Sequence, residues 1–118
     1  MEEPLPIDNQ QRAQNMYEAF AAGDRQAVEQ ALSADFRFSS PLHPDLDRAG
    51  YFERCWPGAG RGQRFSFLRL LESGEEVIVT YKLIKPDGTA GVNTEVLTFD
   101  GEQILRAEVY FGWNLPES

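Results

Sequence analysis

FSFLRLLESGEEVIVTYKLIKPDGTAGVNTEVLTFDGEQILRAEVYFGW, residues 65–113, decides the fold. Four runs rich in β-branched and aromatic residues, Phe65–Leu71, Glu76–Ile84, Gly91–Phe99 and Gln103–Trp113, read as strands. The separators ESGE, KPDG and DGE each carry the glycine that a tight turn uses. Strands joined by loops this short are antiparallel neighbours, because a parallel crossover needs about a dozen residues or more. In the last strand Leu105, Ala107, Val109, Phe111 and Trp113 alternate as one apolar face, opposite Arg106, Glu108 and Tyr110. Val92 and Val96 lie on one side of the third strand, Leu97 and Phe99 on the other. A sheet with one solvated face alternates more cleanly. One face is therefore expected to cover helices, and part of the other to be buried by a second subunit.

Upstream the period changes. Asp8 with Gln11 resembles a capping box, and Ala13, Met16, Tyr17 and Phe20 recur at helical spacing. Gly23 closes this helix, and Asp24 caps a second whose inward residues are Val28, Ala31 and Leu32. DFRFS, residues 35–39, alternates as a short strand ended by Pro41 and Pro44. A third helix is expected around Asp47–Trp56, stopped by Pro57, before the flexible connector GAGRGQ. Residues 1–7 read as a loose tail and 8–118 as one domain of α+β class.

Composition narrows the function. At 118 residues, with 42% hydrophobic and 25% charged residues, the chain has the make-up of an ordinary soluble domain. No apolar run reaches the ~20 residues of a membrane helix, and the N-terminus lacks a signal-peptide pattern. The single cysteine, Cys55, allows no internal disulfide, so a cytoplasmic location is expected. A net charge of −8 without a basic cluster argues against nucleic acid as a partner.

The candidate chemistry sits at two places. His43, the only histidine, lies just beyond a strand end, where it is either a base at a pocket mouth or a loop residue that orders the turn. Asp45 and Asp47 beside it read first as helix caps, and the trio lacks the spacing of a zinc site, so no metal and no cofactor are expected. Glu95 shares a strand face with Asn93, Leu97 and Phe99. Burial there would raise its pKa and make it an acid or hydrogen-bond donor; alternatively it is a structural group bonded to Tyr17 or Tyr81. Tyr17, Tyr51, Phe52, Trp56 and Trp113 either line an apolar ligand cavity or are simply core. Ser40 is able only to orient a ligand, since no nucleophile elbow surrounds it. GAGRG leads into a strand and lacks the phosphate-loop lysine. Cys55 reads as packed rather than reactive.

YEAFAAGD, FRFSSP, DRAGYFERCWP, NTEVLTFDGEQI and AEVYFGW together resemble the SnoaL-like branch of the nuclear transport factor 2 superfamily, from about residue 8 to Trp113. The resemblance implies a cone-like curved antiparallel or mixed sheet wrapped around three helices, a cystatin-like α+β barrel with a pocket inside. Members include isomerases, cyclases, dehydratases and proteins without catalysis. Matched to ketosteroid isomerase, a relative, the general-base position falls on Ser40, the oxyanion-binding tyrosine on Met16 with Tyr17 next to it, and the protonated acid on Glu95. Serine at its ordinary pKa cannot take a carbon-bound proton unaided, so steroid isomerisation by that route is not expected. Two readings follow. The first is a cofactor-independent acid–base isomerase, cyclase or hydratase acting on a small apolar organic substrate. Glu95 and His43 are then catalytic, and Tyr17, Ser40, Tyr51, Phe52, Trp56, Asn93 and Trp113 bind substrate. The second is a non-catalytic ligand-binding or interaction module. A homodimer through the convex sheet face is expected in either case.

Overall fold

The computed structural model of the protein describes residues 8–114; the expected tail, 1–7, lies outside the described residues, as do 115–118. Helix α1 (Asn9–Ala22) begins at Asp8, whose carboxylate accepts from the Gln11 amide at 2.8 Å. Only half of the expected capping box forms, because the Gln11 side chain bonds to Asn15 instead. Gly23, at φ 73°, turns the chain into α2 (Arg25–Ala31), capped by Asp24. Strand β1 (Leu32–Ser39) starts where α2 stops. After a turn between Ser40 and His43 come the two-residue strand β2 (Leu46–Asp47) and helix α3 (Arg48–Arg54), with Asp47 as its cap. A short turn of tight helix, Trp56–Gly58, precedes β3 (Arg64–Ser73), β4 (Glu76–Ile84), β5 (Ala90–Asp100) and β6 (Gln103–Asn114).

The six strands form one sheet in the order β2-β1-β6-β5-β4-β3. As the turns require, β3 to β6 pair antiparallel; β1 joins the outer side of β6 in parallel, which makes the sheet mixed. The sheet does not close into a barrel. Among the described residues its free edges are β2 and β3, and the helices occupy the opening: α1 packs on β3 and β4, α2 on β1 and β6, and α3 on β1 and β2.

The core lies between the helices and the inner sheet face, with Ala13, Val28, Val77, Val79 and Leu97 fully buried. Each large apolar side chain there contributes roughly 1.5–3 kcal/mol through loss of water contact. GAGRGQ, expected to be a flexible connector, is held by several hydrogen bonds, among them Arg61 Nε to Pro57 O at 2.8 Å and Gln63 Nε2 to Gly58 O at 2.7 Å. Gly60 donates its amide to Phe20 O at 2.9 Å, and a Cβ on it would stand 2.9 Å from Gly23 Cα.

Two β-bulges in β6 correct its expected face. Phe99 pairs with Ile104 and Thr98 with Arg106, so Leu105 is an extra residue and Ile104, not Leu105, points inward. Asn93 pairs with Phe111 and Gly91 with Asn114, leaving Val92 opposite both Gly112 and Trp113. The strand turns over there, and Trp113 points outward with 66% of its surface exposed.

Candidate functional site

The cone encloses a cavity of about 310 Å³ walled by side chains from α1, β1, α3 and the inner sheet face. Its walls are mostly aromatic and aliphatic. Tyr17 packs against Phe65, Phe67 and Tyr81 at ring-centroid distances of 5.2, 5.7 and 5.4 Å. Phe36 and Phe38 close on Tyr51 from β1, each at 5.3 Å. Leu42 and Arg54, both exposed, half-exposed Phe111 and half-buried His43 mark the mouth.

Glu95 stands in the interior. It pairs with Val79 on one side and Val109 on the other, and the pleat turns it inward with Leu97 and Phe99. It is the only buried charged residue among the described residues. Burial pushes its carboxyl up to about 7, while the facing hydroxyls of Tyr17 and Tyr81 hold it down in part. Tyr17 stops short of a formed bond: its hydroxyl is buried without a hydrogen-bond partner. Burial, reinforced by the Glu95 charge, drives the Tyr17, Tyr51 and Tyr81 hydroxyls well above the usual phenol range, so all three stay protonated. Asn93 sits between two roles. Its Nδ2 reaches Tyr81 Oη at 3.5 Å, and its Oδ1 accepts from the Gly112 amide at 3.2 Å, which fastens the second bulge.

Of the residues expected at the site, Glu95, His43, Tyr17, Ser40, Tyr51 and Asn93 line the cavity; Phe52, Trp56 and Trp113 do not. Successive helical residues lie about 100° apart, so Tyr51 and Phe52 face different directions. Tyr51 and Cys55, one turn apart, face the cavity together with Arg54. Phe52 and Trp56 form the other pair. Phe52 lies under the guanidiniums of Arg25 and Arg48, at 4.7 and 5.2 Å, and Trp56 sits edge-on to Phe20. Trp113 is removed by the bulge at Gly112.

The opening loop resolves the trio around His43. Asp45 forms a two-point pair with Arg37, at 2.6 and 3.1 Å, and faces a separate groove. Asp47 caps α3. Only His43 reaches the cavity. Ser40 Oγ lines it too, but accepts from the Leu42 and His43 amides, each at 3.2 Å. Cys55 is half-buried, its thiol pushed up to about 11 by burial and by Glu95. Among the described residues no group of three or more His, Cys, Asp or Glu side chains is placed to hold a metal. No helix among them is long and apolar enough to cross a membrane.

Sequence reasoning missed Phe36, Phe38, Arg54 and Phe111 as lining residues. Arg54 was within reach, three residues on from Tyr51 on the same helix face. Phe111 shares its parity with Val109.

An open, mixed sheet curled over three helices around one interior cavity defines a protein of the nuclear transport factor 2-like fold. The model for the SnoaL-like domain matches residues 13–107, and the chain belongs to that family. Solved structures agree on the fold. A protein of unknown function from Cytophaga hutchinsonii superposes with a TM-score of 0.74 at 17% identity, over 93% of this chain and 95% of its own. A Kribbella flavida protein provisionally assigned as a ketosteroid isomerase gives 0.74 at 18% identity, over 92% and 82%. TerC, co-crystallised with polyporic acid, gives 0.71 at 21% identity, over 88% and 91%. No curated protein matches the chain significantly in sequence.

Proposed function

We propose that the cavity binds a small apolar organic molecule bearing a carbonyl or enol, and that Glu95 moves a proton on it. The observation that carries this is a buried carboxyl facing an aromatic-lined cavity that opens at one mouth, with its pKa raised to about 7. A group balanced there has both forms available at neutral pH, which is the condition for general acid–base catalysis. Glu95 as carboxylate takes a proton from a carbon next to the carbonyl and, as the acid, returns it to another atom. Asn93 and the Tyr81 hydroxyl orient the substrate. His43, at the mouth, exchanges protons with water. No cofactor enters this scheme.

Ser40 and Met16, which occupy the base and tyrosine positions of the steroid isomerase, both line the cavity. With no carboxylate at the first and no hydroxyl at the second, one carboxyl must both take and return the proton. The Ser40 hydroxyl is also engaged in its turn, and that observation favours the second reading, a binding module without chemistry.

The test uses 1-tetralone in D₂O, followed by proton NMR. Enzyme-dependent exchange at the carbon beside the carbonyl is expected. Glu95→Gln should slow it about 100-fold or more, and His43→Ala by less. Binding of 1-tetralone with no exchange would leave the module reading in place.

A further inference from the structure

The cavity is polarised along its depth. Its inner part holds Glu95 and no basic side chain, while Arg54 and His43 stand at its mouth beside Leu42 and Phe111. Arg54 ends α3 on the face that carries Tyr51 and Cys55. Of the other arginines, Arg12 pairs with Glu102 at 3.4 Å, Arg25 with Glu29 at 3.0 Å and Arg37 with Asp45 at 2.6 Å, whereas Arg48, Arg61, Arg64, Arg69 and Arg106 have no ion pair among the described residues; Arg54 is set apart as the one arginine or lysine that lines the cavity. Arg54 has no ion-pair partner among the described residues, although acidic side chains outnumber basic ones by 19 to 11. A guanidinium left uncommitted at the mouth of an aromatic chamber is a fork for a planar anion.

We propose that the ligand is an apolar carboxylic acid whose carboxylate stays at the mouth on Arg54 and His43, while its uncharged end, a carbonyl or hydroxyl, reaches Glu95. This rests on the cavity reading above and names its substrate class. A carboxylate entering first would meet the Glu95 charge in surroundings that do not solvate it, so the molecule enters with its neutral end leading. A single arginine with one histidine, in a chain of net charge −8, suits a monoanion better than a doubly charged phosphate. At about 310 Å³ the cavity is at the small end for ligand sites, so the body is one or two rings rather than a steroid nucleus.

Three naphthalene probes that differ at one end separate the alternatives: 2-naphthylacetate, 2-(2-naphthyl)ethanol and 2-(2-naphthyl)ethylammonium, titrated calorimetrically at low salt. The acid should bind about tenfold tighter than the alcohol, as expected for a charge-assisted contact to arginine. Arg54→Gln should remove that advantage, and Arg54→Lys should restore part of it. Raising the salt should shrink it in the wild type, because the contact is exposed. Equal binding of acid and alcohol would overturn the role of the mouth while leaving the cavity reading intact. Tightest binding of the ammonium probe would overturn it in favour of Glu95 as the charge selector. Failure of all three to bind would overturn this inference and the cavity reading together.

Discussion

The Tyr17 hydroxyl faces the Glu95 carboxyl inside the cone without completing a hydrogen bond to it. One helix and one strand thus bring two polar groups together in an apolar chamber and leave both short of partners. Burying such groups costs stability, most of all when the carboxyl is charged. Their arrangement makes the interior responsive to pH and to whatever enters.

Glu95 should make the fold less stable as pH rises from acid to neutral. Its carboxyl ionises near 4.5 when solvated and near 7 when folded, so between these values the unfolded chain binds fewer protons than the native one. Stability therefore falls across that window and levels off above it. Glu95→Gln removes the effect. The variant should match the wild type near pH 4.5 and exceed it by about 3 kcal/mol at pH 8. Urea melts at several pH values check this, and a gap that does not grow with pH would refute it.

Tyr17→Phe removes a buried hydroxyl that has no partner. Stability should stay level or rise by up to about 1 kcal/mol. The Glu95 pKa should move further up, because the hydroxyl that helps hold it down is gone. Carbon-13 NMR of the Glu95 carboxyl reads this shift directly, and a downward move would contradict the geometry.

Gly112 has no room for a side chain. A Cβ there would stand 2.0 Å from Val92 O, whereas one on Gly58 meets nothing within 4 Å. Gly112→Ala should cost about 1–3 kcal/mol or more through forced backbone movement, and Gly58→Ala far less. It should also loosen Asn93, whose Oδ1 takes the Gly112 amide. Paired denaturant melts compare the two variants, and equal losses would count against the bulge.

We propose self-association through the outer sheet face. Leu71, Ile78 and Val96 lie in register across three strands there, with Glu108 next in the row and Arg106 and Tyr110 beside it. A mixture of apolar side chains with tyrosine and arginine is common at subunit contacts. Sedimentation at micromolar concentration should give twice the chain mass, and Val96→Glu should give the single mass. A wild type that sediments at the single mass would end the proposal.

Most of the fold was legible because short-range chemistry determined it. Asp8, Asp24 and Asp47 cap the helices expected of them, and glycine turns enforce the antiparallel pairing of β3 to β6. The inward direction of Glu95 followed from its parity with Leu97 and Phe99. What escaped was set by contacts distant in sequence. The parallel pairing of β1 with β6 joins segments more than 60 residues apart. Extra residues at Leu105 and beside Gly112 shift the alternation of β6 at both ends, and no local pattern announces them. Trp113 was misplaced for that reason. Phe52 and Trp56 were misplaced because α3 and the tight turn that follows it present aromatic side chains on two faces, and only packing selects which one meets the cavity.

The sheet's two free borders bear on how copies of the chain tolerate crowding. One border, β2, offers two residues, too few to template a neighbour. The other, β3, is ten residues long, but the extra residue at Leu68 breaks its ladder, and Arg64 and Arg69 stand exposed along it. Such borders resist strand-by-strand addition, the route by which open sheets grow into fibrils. Contact between copies is thereby steered away from endless strand-by-strand growth.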